Sequence, residues 1–142
     1  MNRNHFSKWA GAAMLAAFVG AALLFGQTVV EKRAVAEIGP DGVQRVEVIG
    51  GSYYFEPNVI VVKVNVPVEL RVRKESGATP HNMVLKAPEA GIDFSVSLST
   101  KPTSITFTPT KTGKYPFECT HKLLFFKSHK DQGMHGVLEV VD

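Results

Sequence analysis

From residue 43 onward, apolar and polar side chains alternate in short runs, a period of two that predicts strands rather than helices. The clearest run is Val68-Glu69-Leu70-Arg71-Val72-Arg73, in which every apolar residue is followed by a charged one. Such a strand has one dry and one wet face, so Val68, Leu70 and Val72 are predicted to point into the core. Comparable β-rich runs cover residues 43–49, 58–64, 67–74, 81–86, 103–108, 114–119 and 136–141, separated by Gly, Pro and Ser. Seven short strands at this spacing predict an all-β sandwich or barrel. In the sixth run Tyr115, Phe117 and Cys119 share one face, and the two aromatic neighbours make that face internal. Residues 87–100 lose the period at Pro88, Gly91 and several serines, which leaves a loop, a short helix and a ragged edge strand all open.

The front of the chain follows a different rule. Residues 10–30 carry no charge, and 21 residues rising ~1.5 Å each would reach across a hydrocarbon core of ~30 Å as one helix. Arg3 and Lys8 precede this run, so the positive-inside rule places the amino end in the cytoplasm and the remainder outside it. A cleaved signal is the rival reading, because Ala34-Val35-Ala36 has the small-x-small form of a cleavage site. The run exceeds the usual apolar core of ~7–15 residues, and Glu31, Lys32 and Arg33 separate it from that site, which favours an uncleaved anchor. Both readings export the rest of the chain. Residues 31–42 end in Gly39-Pro40-Asp41-Gly42 and read as a linker, so the expected order is anchor 1–30, linker 31–42 and domain 43–142.

Charge and cysteine content narrow the function. The formal net charge is +3 over 142 residues, and Arg3 and Lys8 account for most of it, so the domain has no basic field for nucleic acid. Cys119 is the single cysteine and closes no intrachain disulfide; an exported fold must therefore rest on its core. An unpaired thiol outside the cytoplasm is a buried hydrophobe, a nucleophile, an intermolecular link or a metal ligand.

Its company favours the last. Blue-copper sites use two imidazoles and a thiolate with a weak axial thioether, and the sequence offers each donor type in His81, Cys119, His129 and Met134. Pro80-His81-Asn82 before an apolar strand, and Tyr115 to Cys119 leading through His129 to Gly133-Met134, resemble the copper motifs of plastocyanin- and azurin-like cupredoxins. The resemblance covers residues 43–142. It implies a Greek-key cupredoxin-like sandwich holding one mononuclear copper ion, with His81, Cys119, His129 and Met134 as the four ligands. The interval from Cys119 to His129 is longer than in plastocyanins, and the inserted stretch holds His121, a competing imidazole two residues from Cys119. The spacing from His129 to Met134 matches the family and favours His129.

The flanking residues have smaller parts. Asn82 is either an ordinary polar strand residue or an amide that bonds the facing loop and steadies His81. His135 and His5 are not expected to bind metal. Leu123, Leu124, Phe125 and Phe126 are either core packing or an apolar cap through which a redox partner docks near His129. Lys122, Lys127 and Lys130 are solvating charges or a steering field for an acidic partner. The leading functional reading is a monomeric carrier of single electrons between extracytoplasmic redox proteins, not an enzyme. The alternatives are a copper-delivery protein with the same ligands and a thiol enzyme built on Cys119 and a histidine.

Overall fold

The computed structural model describes residues 29–142, and most of the expected span at residues 10–30 lies outside them. Among the described residues no helix is long and apolar enough to cross a membrane. Within residues 29–142 eleven strands form two sheets: β1 (Arg33–Val35), β2 (Glu37–Ile38), β3 (Gln44–Gly51), β4 (Tyr54–Glu56), β5 (Val59–Lys63), β6 (Val68–Lys74), β7 (Asn82–Ala87), β8 (Ile92–Ser97), β9 (Thr103–Phe107), β10 (Gly113–Glu118) and β11 (His135–Val141). One sheet runs β1-β5-β11-β10-β7-β8; the other runs β2-β3-β6-β9 with β4 beside β3.

The all-β expectation holds, and the alternation in β6 is read out as foreseen: Val68, Leu70 and Val72 are each 1% exposed. Ile60, Met83, Phe117 and Leu138 of the other sheet share one core cluster with them and with Phe55 of β4. Phe55 and Phe117 meet edge to face with ring centroids 5.3 Å apart, an arrangement favoured by the ring quadrupoles. Burying each large apolar side chain contributes about 1.5–3 kcal/mol. Gln44 lies among these residues at 1% exposure with its amide satisfied. It donates to the carbonyls of Lys63 and Val66 at 3.0 and 3.1 Å and accepts from the Lys63 N–H at 2.6 Å. That tie joins the start of β3 to the end of β5 in the opposite sheet.

Two expectations change. Residues 31–42 contain β1 and β2, which pair with β5 and β3, so much of the stretch read as a linker belongs to the sheets. Short strands of two or three residues have too few positions for a period to show; the chain is held there by tertiary partners. Arg33 donates to Glu139 on β11 at 2.6 Å, and Lys114 on β10 reaches the same carboxylate at 2.9 Å. The open stretch at 87–100 resolves into a 3-10 turn at Pro88–Ala90 followed by β8, which pairs antiparallel with β7.

The guanidinium of Arg33 and then the ammonium of Lys114 hold the Glu139 carboxyl down at about 2. A depressed carboxyl pKa contributes stability above the unfolded value of ~4.3 that is lost as pH falls towards the folded value. Glu139→Gln is therefore expected to lose less stability than the parent between pH 4.5 and 2, as read by urea unfolding at a series of pH values. Equal acid sensitivity would mean that the Arg33–Glu139–Lys114 ion pairs carry no stability.

Candidate metal centre

The site forms at one end of the sandwich, where three strand ends meet. His81 immediately precedes β7, Cys119 immediately follows β10, and Met134 immediately precedes β11. Register brings the first two elements together, since Glu118 on β10 pairs with Val84 on β7. The loop between Cys119 and Met134 is closed by its own backbone. The Cys119 N–H donates to the Met134 carbonyl at 3.0 Å, and the Met134 N–H to the His129 carbonyl at 2.9 Å. Cys119, His129 and Met134 are thus tied by main-chain bonds that owe nothing to their side chains.

His81, Cys119 and His129 bring one donor atom each to within 4.8 Å of one another. The two histidine Nδ1 atoms are 3.2 Å apart, and the Cys119 Sγ is 3.5 Å from Nδ1 of His129. All three side chains are buried, as is Met134. Donors bound at ~2.0–2.3 Å to a shared ion and meeting there at ~100–110° would be separated by ~3.2–3.6 Å, so the two close distances fit a single ion. The donor chemistry fits as well: two imidazole nitrogens and a sulfur, sheltered from water, make a soft set for a borderline or soft cation.

Of the sequence-predicted residues, the structure brings together His81, Cys119 and His129. Met134 joins them through its backbone, and its terminal methyl lies against Gly50 of β3, where an added Cβ would come within 3.2 Å of it. His121 stays outside the cluster, its ring centroid 6.1 Å from that of His129, while its carbonyl accepts the His129 N–H at 3.0 Å. His135 is exposed.

Asn82 acts as a brace. Its amide nitrogen donates to the Thr120 hydroxyl at 2.8 Å, and its carbonyl oxygen accepts the Thr120 N–H at 2.8 Å. The residue after His81 is thereby fixed to the residue after Cys119. On the other side of His81, Lys74 donates to the Thr79 carbonyl at 3.0 Å, and the His81 carbonyl accepts from Leu98 at 2.9 Å. Tyr53 was not foreseen as part of the site. Its ring meets those of His129 and His81 edge-on, at 5.0 and 6.5 Å between centroids. No spacing rule could have found it, because it arrives from the β3–β4 turn in a left-handed conformation, φ 65°.

Burial, and then the nearby His129, Lys74 and His121, press the His81 pKa down to about 4. Burial followed by His121 lowers that of His129. Both shifts favour neutral rings whose lone pairs are free for a cation. A cleft of about 590 Å³ opens beside the cluster, lined by Tyr53, Pro80, His121, Phe126 and His129 among others.

A β-sandwich with a sheltered thiol-imidazole cluster at one end is the architecture of a small metal-binding domain. The model of the family described as the cupredoxin-like domain matches residues 15–138, and the chain belongs to that family. Among solved structures, the metal binding domain of the Cu(I) exporting P-type ATPase CopA of Streptococcus pneumoniae D39 has a TM-score of 0.61 at 16% identity, over 80% of this chain and 99% of that one. Auracyanin from the photosynthetic bacterium Roseiflexus castenholzii has a TM-score of 0.53 at 21% identity, over 69% and 97%. The periplasmic domain of cytochrome oxidase subunit II (CoxB) of Bradyrhizobium japonicum has a TM-score of 0.51 at 18% identity, over 69% and 83%. These likenesses establish the fold. No curated protein matches the sequence.

The metal-free protein is expected to show His81 titrating near pH 4 by imidazole NMR. Because the folded pKa lies below the unfolded ~6.5, stability falls as pH drops between the two. A midpoint near 6.5 would mean the ring is solvated. Asn82→Ala removes two hydrogen bonds and should cost about 1–3 kcal/mol in chemical unfolding; a change under about 0.5 kcal/mol would show that the brace carries no stability.

Proposed function

We propose that this chain binds one copper ion through His81, Cys119 and His129, with Met134 as a fourth, weaker ligand, and carries single electrons between extracytoplasmic redox proteins. The observation that carries the proposal is the convergence of two buried imidazole nitrogens and one buried sulfur. Thiolate and thioether together select copper over zinc, because zinc sites draw on thiolate, imidazole and carboxylate but seldom on thioether.

When bound, the ion supplies a one-electron couple, and the chain's residues do the rest. Backbone ties across Cys119, His129 and Met134, with the Asn82–Thr120 brace, hold the donors in one arrangement for both oxidation states. That limits the rearrangement accompanying each electron. Burial of Cys119 excludes water from the sulfur, which tunes the potential. His129 is the donor residue that lines the cleft, so its ring edge is the favoured electron port. The partner is a second redox protein that approaches this end.

Two other readings are weaker. Copper delivery would use the same ligands, and the cleft against His129 gives such a protein a route for metal exchange. A thiol enzyme is disfavoured because Cys119 does not line the cleft; a substrate there would meet imidazoles but not the thiol.

Adding copper(II) to the full-length protein should produce an intense visible sulfur-to-copper charge-transfer band, and Cys119→Ser should abolish it. Reversible one-electron voltammetry is expected of a carrier. Copper that leaves within minutes to a competing chelator, with no reversible wave, would favour delivery. No band at all would remove copper–thiolate bonding.

A further inference from the structure

We propose that Leu123, Leu124, Phe125 and Phe126 form a lipid-facing cap that dips into the headgroup region of an anionic bilayer, so that the metal end of the sandwich faces the membrane. This goes beyond the electron-carrier reading and does not depend on which metal is bound.

The sequence left two roles for these residues, and the structure rules out core packing. Leu123 is 63% exposed, Leu124 75%, Phe125 100% and Phe126 67%. The fold holds them outward in a defined turn. The Phe126 N–H donates to the Leu123 carbonyl at 2.9 Å, and the His129 N–H closes the base of the loop onto the His121 carbonyl. Gln132 adds a side-chain bond to the Lys127 carbonyl at 3.1 Å. Leu124 takes a φ of 42°, a left-handed conformation that a bulky residue adopts only where the surrounding loop imposes it. A tip of four consecutive large apolar side chains in water requires a covering partner.

Two observations favour a bilayer over another protein. Lys122 and Lys127 bracket the apolar run, one on each side. A short apolar insert between cations suits the boundary between acyl chains and anionic headgroups, with ammonium groups at the headgroup level. The second observation is where the chain enters the domain. Val29 lies against Gly133, its Cγ2 3.7 Å from where a Cβ on that glycine would be. Asn58 then clamps the carbonyl of Val30 at 2.8 Å and the N–H of Lys32 at 2.7 Å. Gly133 is itself bonded to the Lys130 carbonyl at 2.9 Å. Val29 and Val30, the described end of the uncharged run, thus lie beside the loop between Cys119 and Met134. Were that run in a bilayer, its exit would place the cap at the membrane surface with almost no tether, and a redox partner would be met by diffusion in the same membrane.

The test uses the metal-free full-length chain in vesicles of phosphatidylcholine and phosphatidylglycerol. Trp9→Phe removes the native indole, and Phe125→Trp places a reporter at a position too exposed to affect the core. The expected result is blue-shifted emission that loses at least half its intensity when the lipids are brominated high on their acyl chains. Replacing Lys122 and Lys127 by Gln, or using phosphatidylcholine alone, should reduce that quenching at least twofold. Water-like, unquenched emission would overturn the proposal. So would blue-shifted emission without quenching, which would mean that the cap is covered by protein, whether residues 1–28, a second copy or another chain. Equal quenching in neutral vesicles would overturn the anionic preference.

Discussion

Two imidazoles that would rather be in water are held out of it beside a buried thiol, and most of this structure serves that constraint. Two neutral imidazoles and a sulfur lie buried at one end of the sandwich, with the ring nitrogens 3.2 Å apart. Such a cluster does not assemble through its own attractions, because each polar group loses hydration on burial. The core and the backbone bonds must bring it together. The hydrophobic contacts between the sheets fix β7, β10 and β11, and the site occupies the points where those strands end.

Rigidity comes from main-chain ties more than from the donor side chains. Cys119, His129 and Met134 are linked in sequence by N–H to carbonyl bonds, and Asn82 with Thr120 spans the gap to His81. A site of this kind has little freedom to follow the differing preferences of two oxidation states, which is the property an electron carrier needs. The loop beyond the ties behaves differently. Residues 121–129 form an excursion whose apolar tip contributes nothing to the core, so its chemistry is free to serve an outside surface.

How far the sequence could be read depended on whether a signal was local. The strict alternation in Val68 to Arg73 marked β6 and its buried face, and Tyr115, Phe117 and Cys119 placed the thiol inward, because a strand's two-residue period is written in adjacent positions. The pairing of His81 with a donor 48 positions away came from the resemblance to a family rather than from spacing, and His121 could not be dismissed by periodicity alone. Residues 31–42 read as a linker because β1 and β2 are too short to show a pattern and exist through partners such as Glu139. Tyr53 was invisible for a similar reason: its contact with both imidazoles is made by a turn, and turns announce their geometry but not what they touch. The exposure of residues 123–126 was open from the sequence, since an apolar run reads alike whether it is buried or displayed.

The protein sets its donors in place before any metal arrives. Crystal structures of the metal-free and copper-loaded protein at the same pH address this most directly. The side chains of His81, His129 and Cys119 are expected to keep their rotamers in both, with donor atoms moving by no more than about 0.5 Å. A metal-free structure in which either ring has swung into the cleft, away from Cys119, would contradict it.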